Sequence, residues 1–239
     1  MISLSIDINS ALQNAAFAGG GGFPDTAPQD FFARWRMGET LIGTDGNPIS
    51  IPFPDDAGLD WGDNLPIYHE TGVGIQAGIR STADSYPVGL ITDPTKEQLM
   101  GSPQAYTVAM VVQRTGNATG NANTYNFDGI VTNNIKLNPS GQDRILCFGS
   151  YFFPIISWDT GPHLVIVSAE QGVGSEIWWD NVSLGGDAAA GTESFANIPL
   201  RVGSNKEITS GYFAHYTRIL TSEERDDIFA DTQSIYGIS

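Results

Sequence analysis

Five aromatic side chains, Tyr125, Tyr151, Trp158, Trp178 and Trp179, are the residues whose type and placement best suit a chemical task in this sequence. All five fall at or near the ends of expected strands. Sugars bind proteins by stacking their apolar ring faces on aromatic rings and by hydrogen bonding to polar side chains and backbone groups. Trp178 and Trp179 are adjacent, so on a strand they must point to opposite faces. One is expected in the core and the other outside. There it could act as a sugar platform, cover a sheet edge or pack on a neighbouring subunit. Reactive motifs are missing. Ser150, Ser175 and Ser204 each follow a glycine, but none sits in the Gly-x-Ser-x-Gly frame of a nucleophile elbow. Asp159-Thr160-Gly161 occurs once and, followed by Pro162, reads as a turn. No glycine-rich phosphate loop ends in Gly-Lys-Ser/Thr. His69, His163 and His215 are scattered and read as hydrogen-bonded or surface histidines. With 27 acidic residues, some pair will meet the carboxyl spacing of a glycosidase by chance, so spacing alone does not argue for catalysis.

The charge narrows the partners. Eleven Lys and Arg stand against 27 Asp and Glu, a formal charge of -16. The three lysines, Lys96, Lys136 and Lys206, form no basic stripe, which excludes ordinary nucleic-acid binding. An anionic membrane surface would repel such a chain, and no apolar run reaches the ~18 residues of a membrane span. Cys147 is single, so no internal disulfide or cysteine zinc site can form; in Ile145-Leu146-Cys147-Phe148 it reads as a small hydrophobe. Residues 1–22 lack the basic start and apolar stretch of a signal peptide, although the Gly-, Asn-, Thr- and Trp-rich body looks extracellular. Export inside an assembled virus particle released by lysis reconciles the two, and the expected location is the virion.

The elements that would position these residues are strands. Ile2, Leu4, Ile6 and Ile8 alternate with Ser3, Ser5, Asp7 and Asn9, a period of two. An Ala-rich stretch and four glycines, Gly19 to Gly22, follow as a flexible joint. The expected organisation is therefore an N-terminal arm over 1–22, anchoring the chain to other virion proteins by strand addition, and one domain over 23–239. The same stretch also fits the first strand of the domain. Strands are expected at Val73–Ile79, Val88–Ile91, Tyr106–Gln113, Tyr125–Val131, Arg144–Phe148, Tyr151–Trp158, His163–Ala169, Glu176–Asp180, Pro199–Gly203 and Gly211–Arg218, and one helical turn at 95–100. Short strands with turns between them predict an all-β antiparallel two-sheet sandwich. One helix is expected from Ser222, read as its N-cap, to about Thr232, with Ile228 and Phe229 inward.

The run His163-Leu164-Val165-Ile166-Val167, then Ile177-Trp178-Trp179-Asp180-Asn181, Pro199-Leu200-Arg201-Val202-Gly203 and Gly211 to Glu224 resembles the laminin-G-like, concanavalin A-like lectin/glucanase jelly roll. The likeness spans about residues 24 to 239 and is densest from 105 onward. Two departures stand out. Asp180-Asn181-Val182 lacks the turn glycine usual in the family, and the Glu-x-Asp-x-x-Glu strand of the glucanase branch is missing; Glu176 and Asp180 lie four apart on one expected strand. The resemblance implies lectin-like binding without catalysis. It also implies one calcium ion at the sandwich rim, for which Asp128, Asn133, Asp159 and Asp180 are the candidate ligands, and these are equally ordinary turn formers. No other cofactor is implied. Domains of this kind recur in bacteriophage fibre, spike and decoration proteins, often as homo-oligomers, trimers among them. The expected function is thus a non-catalytic virion protein that binds host-surface carbohydrate or receptor. The alternatives are a polysaccharide-degrading glycoside hydrolase on the same fold and a purely structural decoration module.

Overall fold

The computed structural model of the chain describes residues 23–49, 65–80, 105–114, 158–186 and 208–239 in full, and describes the backbone of further strands at 59–60, 88–91, 122–127, 134–137, 144–147, 151–154 and 200–202. The expected arm with Ile2, Leu4, Ile6 and Ile8, and the helical turn at 95–100, lie outside the described residues.

The strands are β1 (Ala33–Arg36), β2 (Leu59–Asp60), β3 (Ile67–Val73), β4 (Gln76–Arg80), β5 (Val88–Ile91), β6 (Ala105–Arg114), β7 (Ala122–Phe127), β8 (Asn134–Leu137), β9 (Arg144–Cys147), β10 (Tyr151–Pro154), β11 (Pro162–Glu170), β12 (Gly174–Trp179), β13 (Val182–Asp187), β14 (Leu200–Val202) and β15 (Ile208–Tyr216). They form two antiparallel sheets. One runs β13-β12-β11-β6-β15-β4-β3, with β1 also on β15; the other runs β10-β9-β8-β7-β14-β5-β2. This is the antiparallel β-sandwich that strand spacing predicted. One expected strand divides. Val73 pairs with Gln76 across Gly74, whose φ of 58° only glycine adopts freely, so Val73–Ile79 is a hairpin corner and not a continuous strand.

Hydrophobic residues on both faces explain why the larger sheet is buried on both sides. Val108, Met110, Val165, Val167, Ile177, Trp179 and Phe213 occupy one face, in a cluster with Trp35 and Trp158. Ala109, Val111, Leu164, Ile166, Trp178, Tyr212 and Tyr216 occupy the other, in a cluster with the C-terminal helix α1 (Ser222–Tyr236). Val165, Val167, Leu164 and Ile166 are fully buried. Each contributes roughly 1.5–3 kcal/mol of apolar burial, so β11 holds both layers together.

The N-cap of helix α1 lies one residue earlier than expected. Thr221, not Ser222, is the N-cap, because only Thr221 has a glutamate three residues on: Glu224 N–H donates to the Thr221 hydroxyl, and the Glu224 carboxylate accepts from Thr221 N–H at 2.8 Å. Gly237, at φ 72°, ends the helix, with its N–H on the Gln233 carbonyl. Ile228, Ile235 and Tyr236 pack on the sheet. The segment 23–32 lies across this layer as a strap. Buried Asp231 of α1 accepts from Thr26 N–H (2.7 Å), the Thr26 hydroxyl (2.8 Å) and Ala27 N–H (2.9 Å), while Phe23 and Ala27 join the same apolar cluster.

Candidate functional site

Where α1 meets the β11–β12 hairpin, the helix-bearing face of the sheet opens into a groove of about 310 Å³. That volume is at the lower end of the ~300–1,000 Å³ typical of small-molecule sites. Ser168, Glu170, Glu176, Trp178 and Gly186 line it from the sheet, Val173 and Gly174 from the hairpin, and Ile219 and Arg225 from the helix side.

The register places these residues. Ser168 pairs with Glu176, and Glu170 with Gly174, so Glu170 and Glu176 are diagonal neighbours on one sheet face. Such neighbours stand about 7–8 Å apart. The hairpin turn between them carries Val173, which is 61% exposed. Gly186 pairs with Glu176 on β13, and a side chain on it would collide with the Ser175 carbonyl, so glycine keeps the two strands in contact at the groove edge. The Ser183 hydroxyl donates to Glu176 at 3.3 Å.

The opposite wall is held by a polar tie to the sheet. The Thr107 hydroxyl donates to the Arg218 carbonyl (2.9 Å), accepts from Leu220 N–H (3.2 Å), and lies 2.9 Å from the Ser168 hydroxyl. Ile219 is thereby fixed between two anchored neighbours, with its side chain 37% exposed on the groove. Arg218 braces the same segment from outside. Its guanidinium donates to Asp30 at 2.7 and 2.8 Å and to Glu224 at 2.8 and 2.6 Å. Arg218 holds both carboxyls below their usual range, and Glu224 and Asp30 push the Arg218 pKa up.

Arg225, in the first turns of α1, completes the wall. It donates to the Leu220 carbonyl at 2.8 Å, and its guanidinium carbon sits 3.9 Å from the Trp178 ring centroid. The two tryptophans do take opposite faces, but neither is left outside. Trp179 packs in the core with Trp158 (5.5 Å) and stacks on His163 (4.7 Å), whereas Trp178 is 5% exposed because Arg225 covers it. Trp178 is thus the one described aromatic candidate that borders the groove, and its platform is the guanidinium lying on it. Trp158 and Trp179 are interior and present no ring to solvent. Tyr125 on β7 and Tyr151 on β10 have side chains outside the described residues.

Asp159 and Asp180 converge on a histidine. Asp180 Oδ2 lies 2.6 Å from His163 Nδ1 and its Oδ1 accepts from Leu164 N–H at 2.8 Å; Asp159 Oδ1 is 3.3 Å from His163 Nε2. The Gly161 N–H, donating to Asp159, holds that carboxyl below its usual range. No group of three or more His, Cys, Asp or Glu among the described residues could hold a metal ion. Asp128 and Asn133 lie outside the described residues. Nor does Asp180 share a strand with Glu176. It sits with Asn181 in the β12–β13 turn at φ 48° and 64°, the primed-turn conformation that Asp and Asn tolerate, which is why this turn dispenses with glycine.

Sequence reasoning overlooked Ser168, Glu170, Glu176, Ile219 and Arg225 as a group. A usable signal existed for the acids: they bracket the Gln171–Gly174 turn, and an antiparallel hairpin of that length sets both on one face. Arg225 carried no such signal, because its partner Trp178 is 47 positions away and meets it only through helix packing.

No protein-family model matches the chain, and no curated protein does. Among solved structures, it is similar to Trypanosoma rangeli sialidase in complex with 2,3-difluoro-KDN, at TM-score 0.55 and 14% identity over 97% of this chain and 39% of the sialidase. Trypanosoma rangeli sialidase itself matches at TM-score 0.54 and 14% identity, over 97% and 38%. The binding domain of botulinum neurotoxin DC, in complex with rat synaptotagmin II, matches at TM-score 0.49 and 9% identity, over 74% and 46%. The chain therefore spans under two-fifths of the length of these sialidase chains, and the likeness is one of fold.

Proposed function

We propose that this domain is a carbohydrate-binding module whose ligand occupies the groove between α1 and the β11–β12 hairpin, and that it binds without catalysing. The observation carrying this reading is one constellation: a flat guanidinium laid on Trp178, exposed apolar contacts from Ile219 and Val173, and polar oxygens from Ser168, Glu170 and Glu176 around one small cavity. A sugar ring has the matching surface, with apolar C–H faces to lie on the shelf and edge hydroxyls to meet the oxygens. The sialidase of like fold has been solved in complex with 2,3-difluoro-KDN, and what this supports is the choice of glycans as the ligand class to test. Placement on a virus particle, with a host-surface carbohydrate as target, is part of the proposal. The lysine-poor, acidic composition and the jelly-roll resemblance support it.

A glycan array probed with the wild-type chain and with Arg225→Met tests the reading. Binding lost in the variant, with folding intact by circular dichroism, is the expected result. Array binding unchanged by Arg225→Met would move the site elsewhere. Glycoside hydrolysis stays as a second reading on one specific observation, that Glu170 and Glu176 are diagonal neighbours on one sheet face and line the same groove, and a glycosidase needs such a pair of carboxyls. Release of reducing sugar, abolished by Glu170→Gln or by Glu176→Gln, would favour it over binding alone.

A further inference from the structure

Resting on the carbohydrate reading of the groove, we infer that the site selects sugars presenting hydrogen-bond donors and no carboxylate, and discriminates against sialylated or uronic-acid ligands. The proton positions around Thr107 carry the first half. A carbonyl can only accept and an amide N–H can only donate, so the single Thr107 hydroxyl proton must go to the Arg218 carbonyl while Leu220 N–H fills one lone pair. The remaining neighbour, the Ser168 hydroxyl at 2.9 Å, must then be a donor to Thr107. That spends the only proton Ser168 has. What Ser168 turns toward the groove is lone-pair density, an acceptor.

Charge carries the second half. Glu170 and Glu176 are acceptors when ionised, and among the described residues neither has a cationic partner. Among the described residues Arg225 is the only cation lining the groove, and one of its donors is already on the Leu220 carbonyl. Among the described lining residues the charge is therefore two negative against one positive, and the polar side chains on the helix-facing side of the sheet, Ser168, Glu170 and Glu176, are acceptors, while Ser175 alternates to the other face. A hydroxyl or ammonium group on the ligand completes this pattern. A carboxylate meets net repulsion from one unit of charge at close range, which in a partly exposed site amounts to roughly tenfold in affinity at low salt.

The experiment uses matched array pairs, each glycan printed with and without its terminal sialic acid, read at 50 and 500 mM NaCl. The expected result is at least a tenfold preference for the asialo member at low salt, shrinking toward parity at high salt. In the Glu170→Gln/Glu176→Gln double variant, which keeps side-chain size, the preference at low salt should fall to about twofold or less. Sialylated members bound as well as or better than their asialo partners overturn the inference while leaving carbohydrate binding standing, and so does a preference that survives the double variant unchanged. Failure of both members of every pair to bind removes the carbohydrate reading itself and this inference with it.

Discussion

Arg218→Ala tests whether the groove's helix-side wall is held by charge. The guanidinium makes four charge-assisted hydrogen bonds, two to Asp30 and two to Glu224. Arg218 is 35% exposed at its side chain, Asp30 58% and Glu224 26%, so solvent screening limits each pair to the ~0.2–1 kcal/mol of exposed ion pairs. Two bidentate pairs sharing one cation sum to about 1–2 kcal/mol at neutral pH. For a chain of this size, that lowers Tm by about 2–8 °C. The sign with pH follows from the direction of the shifts. Asp30 and Glu224 are held below their unfolded values by Arg218, so this stability is fully present above roughly pH 5 and disappears as pH falls through the depressed folded values. The gap in Tm between wild type and Arg218→Ala, followed by calorimetry from pH 7 to pH 3, should therefore close at the acid end. Salt at 1 M should narrow it at pH 7. A gap equally wide at pH 3 and pH 7 would refute the reasoning, since it would assign the loss to packing of the arginine stem. Glu224→Gln adds a check: the amide retains the capping role but not the charge, so only the part of the pH dependence due to Glu224 should vanish.

Three further outcomes follow from other parts of the structure. Asp231→Ala leaves three donors of the strap without their acceptor, two of them on backbone N–H groups, and should cost about 3–5 kcal/mol in urea unfolding, with faster proteolysis near residues 23–32; an effect under about 1 kcal/mol would mean the strap is held by its apolar contacts alone. Asn181→Gly should be nearly neutral and Asn181→Val destabilising by about 1–2 kcal/mol, because residue 181 sits at φ 64°; equal stabilities would argue that the primed turn is not formed. Arg225→Met retains an apolar stem over Trp178 while removing the donors, so Tm should change by only a few degrees whereas glycan binding should fall tenfold or more; parallel losses would make Arg225 a purely structural residue.

The strands that sequence located best were those whose residues are β-branched and apolar on both sides. His163–Ala169 and Tyr106–Gln113 lie inside β11 and β6, because being buried on both faces leaves a continuous apolar run. Where structure depends on a single dihedral the pattern fails. Gly74 turns Val73–Ile79 into a hairpin, and Asp180 leaves its strand for a left-handed turn, although both look continuous by hydrophobicity. Tryptophan exposure was likewise not local information. Alternation puts Trp178 and Trp179 on opposite faces, but whether the outer face is wet depends on a helix that starts at Ser222, 44 positions after Trp178. The candidate site was legible only in part for the same reason: Trp178 was visible as an aromatic, while the acids and Arg225 become a group only once the hairpin and the helix are docked.

Arg225 stands where local rules disfavour it. A cation near a helix N-terminus works against the backbone dipole by roughly 0.3–1 kcal/mol, and Glu223 and Glu224 in the same turn show the preferred sign. Two contacts offset that cost: the charge-assisted bond to the Leu220 carbonyl, typically ~1.5–3 kcal/mol, and the stacking on a buried tryptophan, ~0.5–2 kcal/mol. The balance favours the observed position, so stability alone accounts for Arg225 being there. It does not account for what surrounds it, since neither contact needs two glutamates without cationic partners among the described residues, an exposed isoleucine and an exposed valine on the same cavity. Their openness around a fixed donor is what the proposed glycan site relies on: rigid elements there hold a few polar atoms beside apolar contact area.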